Sequence, residues 1–400
     1  MRFGTGFIAS LTTRLISLLG LFLSLWVVVP APNSFLLPLG VGAPEVSPWL
    51  VMLNAIALLL SLFRRHSGWF SKATLLSSLL ALFLSLLPLL QFPAANARMA
   101  IEVETILGAD YLAGVSKPAQ LQLRPQPFVL KDAFKGISTP DVRIEKGIVF
   151  AEPDGVKLTL NVYRPLQIGK YPTIIGIYAG AWQGGSPDSD EKFNRYMASQ
   201  GYCVIAIDYR HSPQYRYPAQ LEDVQTAYSY IQTHADKLEV DINRVALVGR
   251  SAGAHLASLL AYRPDAVPVR ALVNYYGPVD LTEGYNDPPF PDPIDTRAVL
   301  RAFLGGTPDE RAEMYQQASP ITYVQQNLPP SLLVYGSRDH IVQAKFGRQL
   351  YEQLQAEGNR AVLLEIPWAE HAFDAVFNGV SNQLALYYTE RFLAWALKSS

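Results

Sequence analysis

Cysteine and charge are the scarce components of this sequence. The single cysteine, Cys203, excludes an internal disulfide, and redox arguments then say nothing about compartment. It stands in the apolar run Gly201-Tyr202-Cys203-Val204-Ile205-Ala206-Ile207, which reads as a buried strand in which the thiol is an inert core group. Only 17% of the 400 residues are charged and the net charge is −1, so the chain has neither a basic footprint for nucleic acid nor an acidic tail. It also lacks a phosphate-loop lysine and a G-x-G-x-x-G fingerprint, which removes the common nucleotide-binding folds. No internal repeat and no low-complexity tract is present.

Hydrophobic residues, by contrast, make up half of the chain, and the excess is concentrated in the first 92 residues. Apolar stretches run from Leu15 to Val29, with a softer extension back to Phe7, from Trp49 to Phe63 and from Ala73 to Phe92. Each approaches the roughly 20 residues that a helix needs to cross a bilayer. Arg2 and Arg14 lie at the start of the first stretch, and Arg64, Arg65 and Lys72 fill the loop between the second and third. The segment from Pro30 to Pro48 has no Lys or Arg. Because positive charge stays in the cytoplasm, the expectation is about three transmembrane helices, a multi-pass membrane protein, and a C-terminal part on the non-cytoplasmic side. An uncleaved signal, a re-entrant second span or processing after Ala95-Asn96-Ala97 are the competing readings. Aside from Arg14 at one end, the spans hold no charged residue, so no ion path is visible in them.

The remaining sequence divides into a connector or cap at 94–140, with Pro118, Pro125, Pro127 and Pro140 in its second half, and a larger domain at 141–400. Residues 142–150 and 156–162 alternate as two strands around the turn Pro153-Asp154-Gly155. Short apolar runs follow at 173–178, 202–207, 245–248, 271–275, 331–335 and 361–366. Helix-like stretches at 218–237, 252–261, 344–356 and 382–397 lie between or after them. This alternation predicts an α/β fold: a mostly parallel sheet with helices on both faces and an antiparallel edge, its function gathered at the carboxyl ends of the strands.

The chemistry-bearing motif is Gly249-Arg250-Ser251-Ala252-Gly253, entered from a strand and left by a helix. Its glycines permit the sharp turn that lifts a serine hydroxyl to the sheet edge, so Ser251 is the expected nucleophile. A serine hydroxyl needs a histidine base, and the histidine needs a carboxylate. His371, just after the last apolar strand, is the expected base; His255 reads as a packing residue and His340 as a neighbour of the acid. Asp339 follows the strand at 331–335 and is the expected acid, with Asp280, Asp374 and Glu370 as rivals. The oxyanion donors are expected from the amides of Ala252, Gly180 and Ala181, the last two in the loop Tyr178-Ala179-Gly180-Ala181-Trp182.

Taken together, residues 145–397 resemble the hormone-sensitive-lipase-like and carboxylesterase-like branch of the α/β-hydrolases. Ile177 to Trp182 is similar to its H-G-G-[GA]-W loop, with Tyr178 in place of histidine and Ala179 and Ala181 in place of glycine. Asp208-Tyr209-Arg210, Ser212-Pro213 and Tyr217 to Asp223 are similar to its D-Y-R segment, which reads as a support for the loop beneath the site. An anchor joined to such a domain also resembles prenylcysteine methylesterase-like proteins, and Trp182-Gln183 resembles the arylformamidases. The resemblance implies a serine esterase that needs no metal or cofactor and acts on a small-molecule or lipid-like ester; the apolar N-terminal stretches imply membrane lipids around them. Amidase, formamidase or peptidase activity on the same triad, or a binding protein on a retired scaffold, are the alternatives.

Overall fold

The computed structural model describes residues 2–63 and 68–399. Arg64 and Arg65, assigned above to a loop between spans, lie outside the described residues. The N-terminal part consists of α1 (Arg2–Leu25), α2 (Leu37–Glu45), α3 (Ser47–Phe63) and α4 (Trp69–Leu107). Helices α1, α3 and α4 pack together with their small polar residues inside. Asn54 is buried, and its amide donates to Ser24 Oγ at 2.8 Å, the Ala81 carbonyl at 3.1 Å and Ser85 Oγ at 3.2 Å. Ser17 and Ser77 hydroxyls meet at 2.7 Å. Leu15, Leu18, Phe22, Ile56, Leu59, Leu76 and Phe83 point outward and are exposed. Polar groups inside and large apolar groups outside reverse the arrangement of a water-facing bundle.

The expectation of three spans needs correction. Among the described residues one helix, α4, is long and apolar enough to cross a membrane. Helices α2 and α3 pass that test only as a pair bent by 81°, and the described apolar part of α1, Ser10–Leu25, is shorter. At the bend, Glu45 at the end of α2 reaches the α/β domain, where its carboxyl oxygen accepts the Ser381 amide at 2.8 Å. The third apolar run, in turn, does not end at Phe92. Its helix continues for 39 residues in all, through Pro93 and the charged Arg98, Glu102 and Glu104, across the expected boundary at residue 93.

The connector forms α5 (Lys117–Gln122) and α6 (Leu130–Lys135). It packs on the last helix of the chain, not over Ser251: the Arg124 amide donates to Glu390 at 2.8 Å and the Val129 amide to Gln383 at 2.8 Å.

From residue 143 the strands are β1 (Arg143–Ala151), β2 (Leu158–Arg164), β3 (Tyr171–Ile177), β4 (Cys203–Ile207), β5 (Val240–Arg250), β6 (Ala271–Tyr275), β7 (Ser331–Gly336) and β8 (Ala361–Ile366). They form one sheet in the order β1-β2-β4-β3-β5-β6-β7-β8. Strands β1 and β2 pair antiparallel, β2 meets β4 antiparallel, and the rest run parallel. The interior strands are buried on both faces, as their continuous apolar sequences require. Cys203 is buried in β4, and burial pushes its thiol up to about 12.

The helices around the sheet are α7 (Glu191–Ser199), α8 (Ala219–Thr233), α9 (Ala235–Leu238), α10 (Ala252–Tyr262), α11 (Leu281–Asn286), α12 (Thr296–Leu304), α13 (Ala312–Gln317), α14 (Ala344–Ala356) and α15 (Val380–Lys398). The segment from β6 to β7, which carries α11 to α13, forms an excursion over the carboxyl ends of the strands. Helix α4 lies against the edge strand β8 and closes that side of the sheet.

Candidate active site

Strand β5 ends at Arg250 and α10 begins at Ala252, which leaves Ser251 alone in the turn. Its backbone has φ 50° and ψ −119°, a left-handed region that costs a non-glycine residue energy. Two residues away on either side, neighbouring backbone leaves no room for a side chain. A Cβ on Gly249 would run into Ala254, and one on Gly253 into the carbonyl of Ile177. The amide of Ser251 donates to Tyr275 O at 2.9 Å, which pins the strained turn to β6.

Three of the expected residues meet here. Ser251 Oγ lies 3.0 Å from His371 Nε2, and His371 Nδ1 lies 2.7 Å from Asp339 Oδ2. All three are buried. The other carboxylate oxygen of Asp339 accepts the amides of Ile341 at 2.8 Å and Val342 at 2.7 Å. Burial pushes the Asp339 carboxyl up, against the pull of the imidazole and of these amides. An ionised Asp339 accepts a hydrogen bond from Nδ1–H, and Nε2 is then the nitrogen free to take a proton from the serine.

The rival acids have other partners. Asp280 caps α11 by accepting the Glu283 amide at 2.9 Å. Asp374 pairs with Arg250 and accepts the Tyr276 hydroxyl, and the Tyr276 ring lies 4.5 Å from the His371 ring. Glu370 accepts the His340 amide at 2.6 Å and the His371 amide at 3.0 Å, so it ties the loop of Asp339 to that of His371. It also pairs with His340 Nδ1 at 2.6 Å, and this holds the His340 proton to higher pH than usual. His255 is a structural residue: Trp182 Nε1 donates to its Nδ1 at 3.2 Å, and its Nε2 lies 2.6 Å from the Ala318 carbonyl. Burial lowers its pKa to about 4, which keeps the ring neutral.

The loop after β3 turns sharply, with φ 138° at Gly180, 53° at Ala181 and 58° at Trp182. Ala179 is not in the left-handed region; the strain falls on Ala181 and Trp182 instead. Ala181 and Ala252 line the same cavity as Ser251. Tyr178 sits behind this loop. Its hydroxyl donates to Asp208 at 2.6 Å and meets His211 Nε2 at 2.9 Å, and its ring stacks on Tyr209. Arg210 pairs with Asp223 at 2.8 Å and with Asp154 at 2.6 Å. The D-Y-R segment thus braces the loop, as its sequence suggests.

The cavity beside Ser251, about 60 Å³, was not legible in the sequence. Trp182 forms one wall, stacked on Phe303 with ring centroids 4.1 Å apart. Pro278, Leu281, Gly284, Ile294, Val299 and Leu300 from the excursion after β6 form another, with Val342 and Phe346 opposite. That excursion carries helices of only six to nine residues between prolines, and its one readable signal is the pair of Asp N-caps at Asp280 and Asp295.

A family model described as BD-FAE matches residues 160–354. Among curated proteins, Esterase LipC of Mycobacterium tuberculosis is 34% identical over 218 residues, 51% of this chain and 53% of the relative. An acetyl esterase of Salmonella paratyphi B is 27% identical over 265 residues, covering 63% of this chain and 80% of the relative. The chain spans about half the length of the first curated relatives it matches. Among solved structures, a hyperthermophilic esterase from the archaeon Pyrobaculum calidifontis superposes with a TM-score of 0.57 at 25% identity, over 64% of this chain and 86% of that one. With its sheet order and its strand-turn-helix at Ser251, the chain has the α/β-hydrolase fold and is similar, across that fold, to esterases.

Proposed function

We propose that the protein is a membrane-anchored serine hydrolase that cleaves carboxylic esters. The observation that carries this is the buried hydrogen-bonded series Ser251–His371–Asp339, at 3.0 and 2.7 Å, at the carboxyl ends of β5, β7 and β8. Esterase relatives support the choice of esters over amides. In the first step Ser251 Oγ bonds to the ester carbonyl carbon while its proton passes to His371 Nε2. The amides of Ala252, Gly180 and Ala181 hold the resulting oxyanion. The bond to the alcohol oxygen then breaks, and that oxygen takes the proton from Nε2. Water next adds to the acyl carbon and gives a proton to Nε2. The bond to Oγ breaks, Oγ recovers its proton, and the acid leaves. Asp339 holds the imidazole in the tautomer both steps need and stabilises its cation.

Anchoring is supported by the inverted polarity of the α1, α3 and α4 bundle and by the length of α4. Arg14, whose guanidinium lies 5.1 Å from the Phe70 ring, and Lys72 mark the bundle end away from the catalytic domain. By the positive-inside rule this end is cytoplasmic and the catalytic domain is on the other side.

The test is labelling of the detergent-purified chain with a fluorophosphonate, beside Ser251→Ala and with p-nitrophenyl esters of increasing chain length. Labelling and hydrolysis that both vanish in Ser251→Ala support the reading. A folded native protein that never labels refutes it.

A further inference from the structure

The direction in which the site faces is set by α4. Phe92 lies 6.0 Å, ring to ring, from Trp368, two residues beyond the carboxyl end of β8. Farther along the helix, Asn96 accepts the Tyr388 hydroxyl through its carbonyl at 3.0 Å and through Oδ1 at 2.8 Å. Val103 and Leu107 continue into the main core. The second half of α4 therefore descends along β8, and the first half projects past the carboxyl ends of the strands. At 1.5 Å per residue the stretch from Trp69 to Phe92 rises about 36 Å, enough for a hydrocarbon layer of about 30 Å. The carboxyl ends of the strands are the edge that carries Ser251, Asp339 and His371.

Two further contacts hold the bundle to this edge. Arg338, adjacent to Asp339, donates to the Val28 carbonyl just after α1. Trp49, at the start of α3, donates to the Ala133 carbonyl at 3.2 Å, which Asn378 also bonds at 2.9 Å, in the segment between His371 and α15. The acid loop and the segment after the base thus rest on the ends of helices whose outer faces are apolar.

The chamber beside Ser251 adds a size limit. One water needs about 10–15 Å³ of such space. A volume of about 60 Å³, walled by Trp182, Leu281, Leu300 and Phe346, holds an apolar group of a few heavy atoms and no long chain. The other arm of a bound ester has to leave through the mouth.

We propose that the site draws its substrate from the bilayer in which the chain is anchored: a lipid-soluble ester with one arm short enough for the chamber and the other remaining among the lipid chains. This rests on the ester-hydrolase and anchoring readings given above. The chemistry is unchanged: one water enters, and an acid and an alcohol leave, one short and released to water, the other retained in the membrane.

The experiment uses the full chain in phosphatidylcholine vesicles, purified by flotation. Hexadecyl acetate is placed in the same vesicles, or in separate vesicles without protein, and p-nitrophenyl acetate is added to the water as a control. The expected result is release of acetate from hexadecyl acetate in shared vesicles, at least tenfold faster than from separate ones. The rate should fall in proportion when ester-free lipid dilutes the ester within the membrane at constant total ester. Equal rates from shared and separate vesicles, or a rate that ignores dilution, overturn the proposal and leave the hydrolase reading intact. So does hydrolysis of p-nitrophenyl acetate alone. Hydrolysis of neither ester overturns the hydrolase reading itself, and a chain that does not float with the vesicles overturns the anchoring.

Discussion

Replacing Asp339 by asparagine tests the site with almost no change of shape, and the surrounding hydrogen bonds dictate how the new side chain must sit. One oxygen of Asp339 accepts two backbone amides, from Ile341 and Val342, at 2.8 and 2.7 Å. In Asp339→Asn only the amide oxygen can accept those two donors, so it takes that place. The NH2 group is then forced toward His371 Nδ1, where the carboxylate now lies at 2.7 Å. Facing a donor, Nδ1 has to be the acceptor, and the imidazole proton moves to Nε2, 3.0 Å from Ser251 Oγ. The base then points a proton at the group it should deprotonate. In triads of this kind such a tautomer error lowers kcat by about 10⁴-fold, or about 5.4 kcal/mol at about 1.36 kcal/mol per tenfold. Because every hydrogen-bond position is still filled, the melting temperature should move by less than about 3 °C. The assay is kcat for p-nitrophenyl acetate beside a thermal melt. A kcat within tenfold of the native value, with the fold intact, would refute the assignment of Asp339 and return Asp374 or Glu370 to consideration.

Tyr178→Phe removes the donor that braces the oxyanion loop to Asp208. A hydrogen bond to a charged group contributes about 1.5–3 kcal/mol, so the melt should drop by several degrees and kcat should fall more than KM rises; an unchanged melt would show the brace to be idle. His340 keeps its proton to higher pH in the folded chain than its ordinary 6.5, owing to Glu370. Its stabilising contribution is therefore complete below about pH 6.5 and fades as pH rises through the folded value. Melting His340→Gln and native protein from pH 5 to 9 should give a gap that is widest at the acid end and closes with rising pH; a constant gap would contradict the ion pair. Gly284 faces the chamber, and a Cβ there would meet only Phe346 at 3.8 Å and Leu300 at 4.0 Å. Gly284→Leu should thus fold and fill the space, cutting the butyrate rate at least tenfold relative to acetate; equal loss on both esters would place the chamber outside the substrate path.

What the sequence disclosed, and what it withheld, follows from how far each signal reaches along the chain. The helix expected at 344–356 matches α14 residue for residue, because an amphipathic period between two strands needs no outside partner to be recognised. Ser251, His371 and Asp339 could be nominated together because each follows a strand end in the chain order Ser, acid, His. The chamber wall at 278–300 was not: its helices are too short to show a period, and its prolines read as loop. The length of α4 was hidden by its own charges, since Arg98, Glu102 and Glu104 end a membrane signal without ending a helix. The contact at the bend between α2 and α3, Glu45 with the Ser381 amide, was invisible because it joins positions 336 residues apart.

That last contact joins the two parts of the chain. Helix α15 begins after Gly379, which has no side chain to cap it, and the oxygen that accepts the Ser381 amide at its amino end belongs to Glu45. In the sequence that oxygen stands hundreds of residues before the amide it holds. The amino end of α15 is therefore completed by a residue of the N-terminal helices, and the two parts of the chain share this junction. Removal of residues 1–93 would leave the Ser381 amide without this acceptor, so the N-terminal helices take part in finishing the α/β domain to which they are joined.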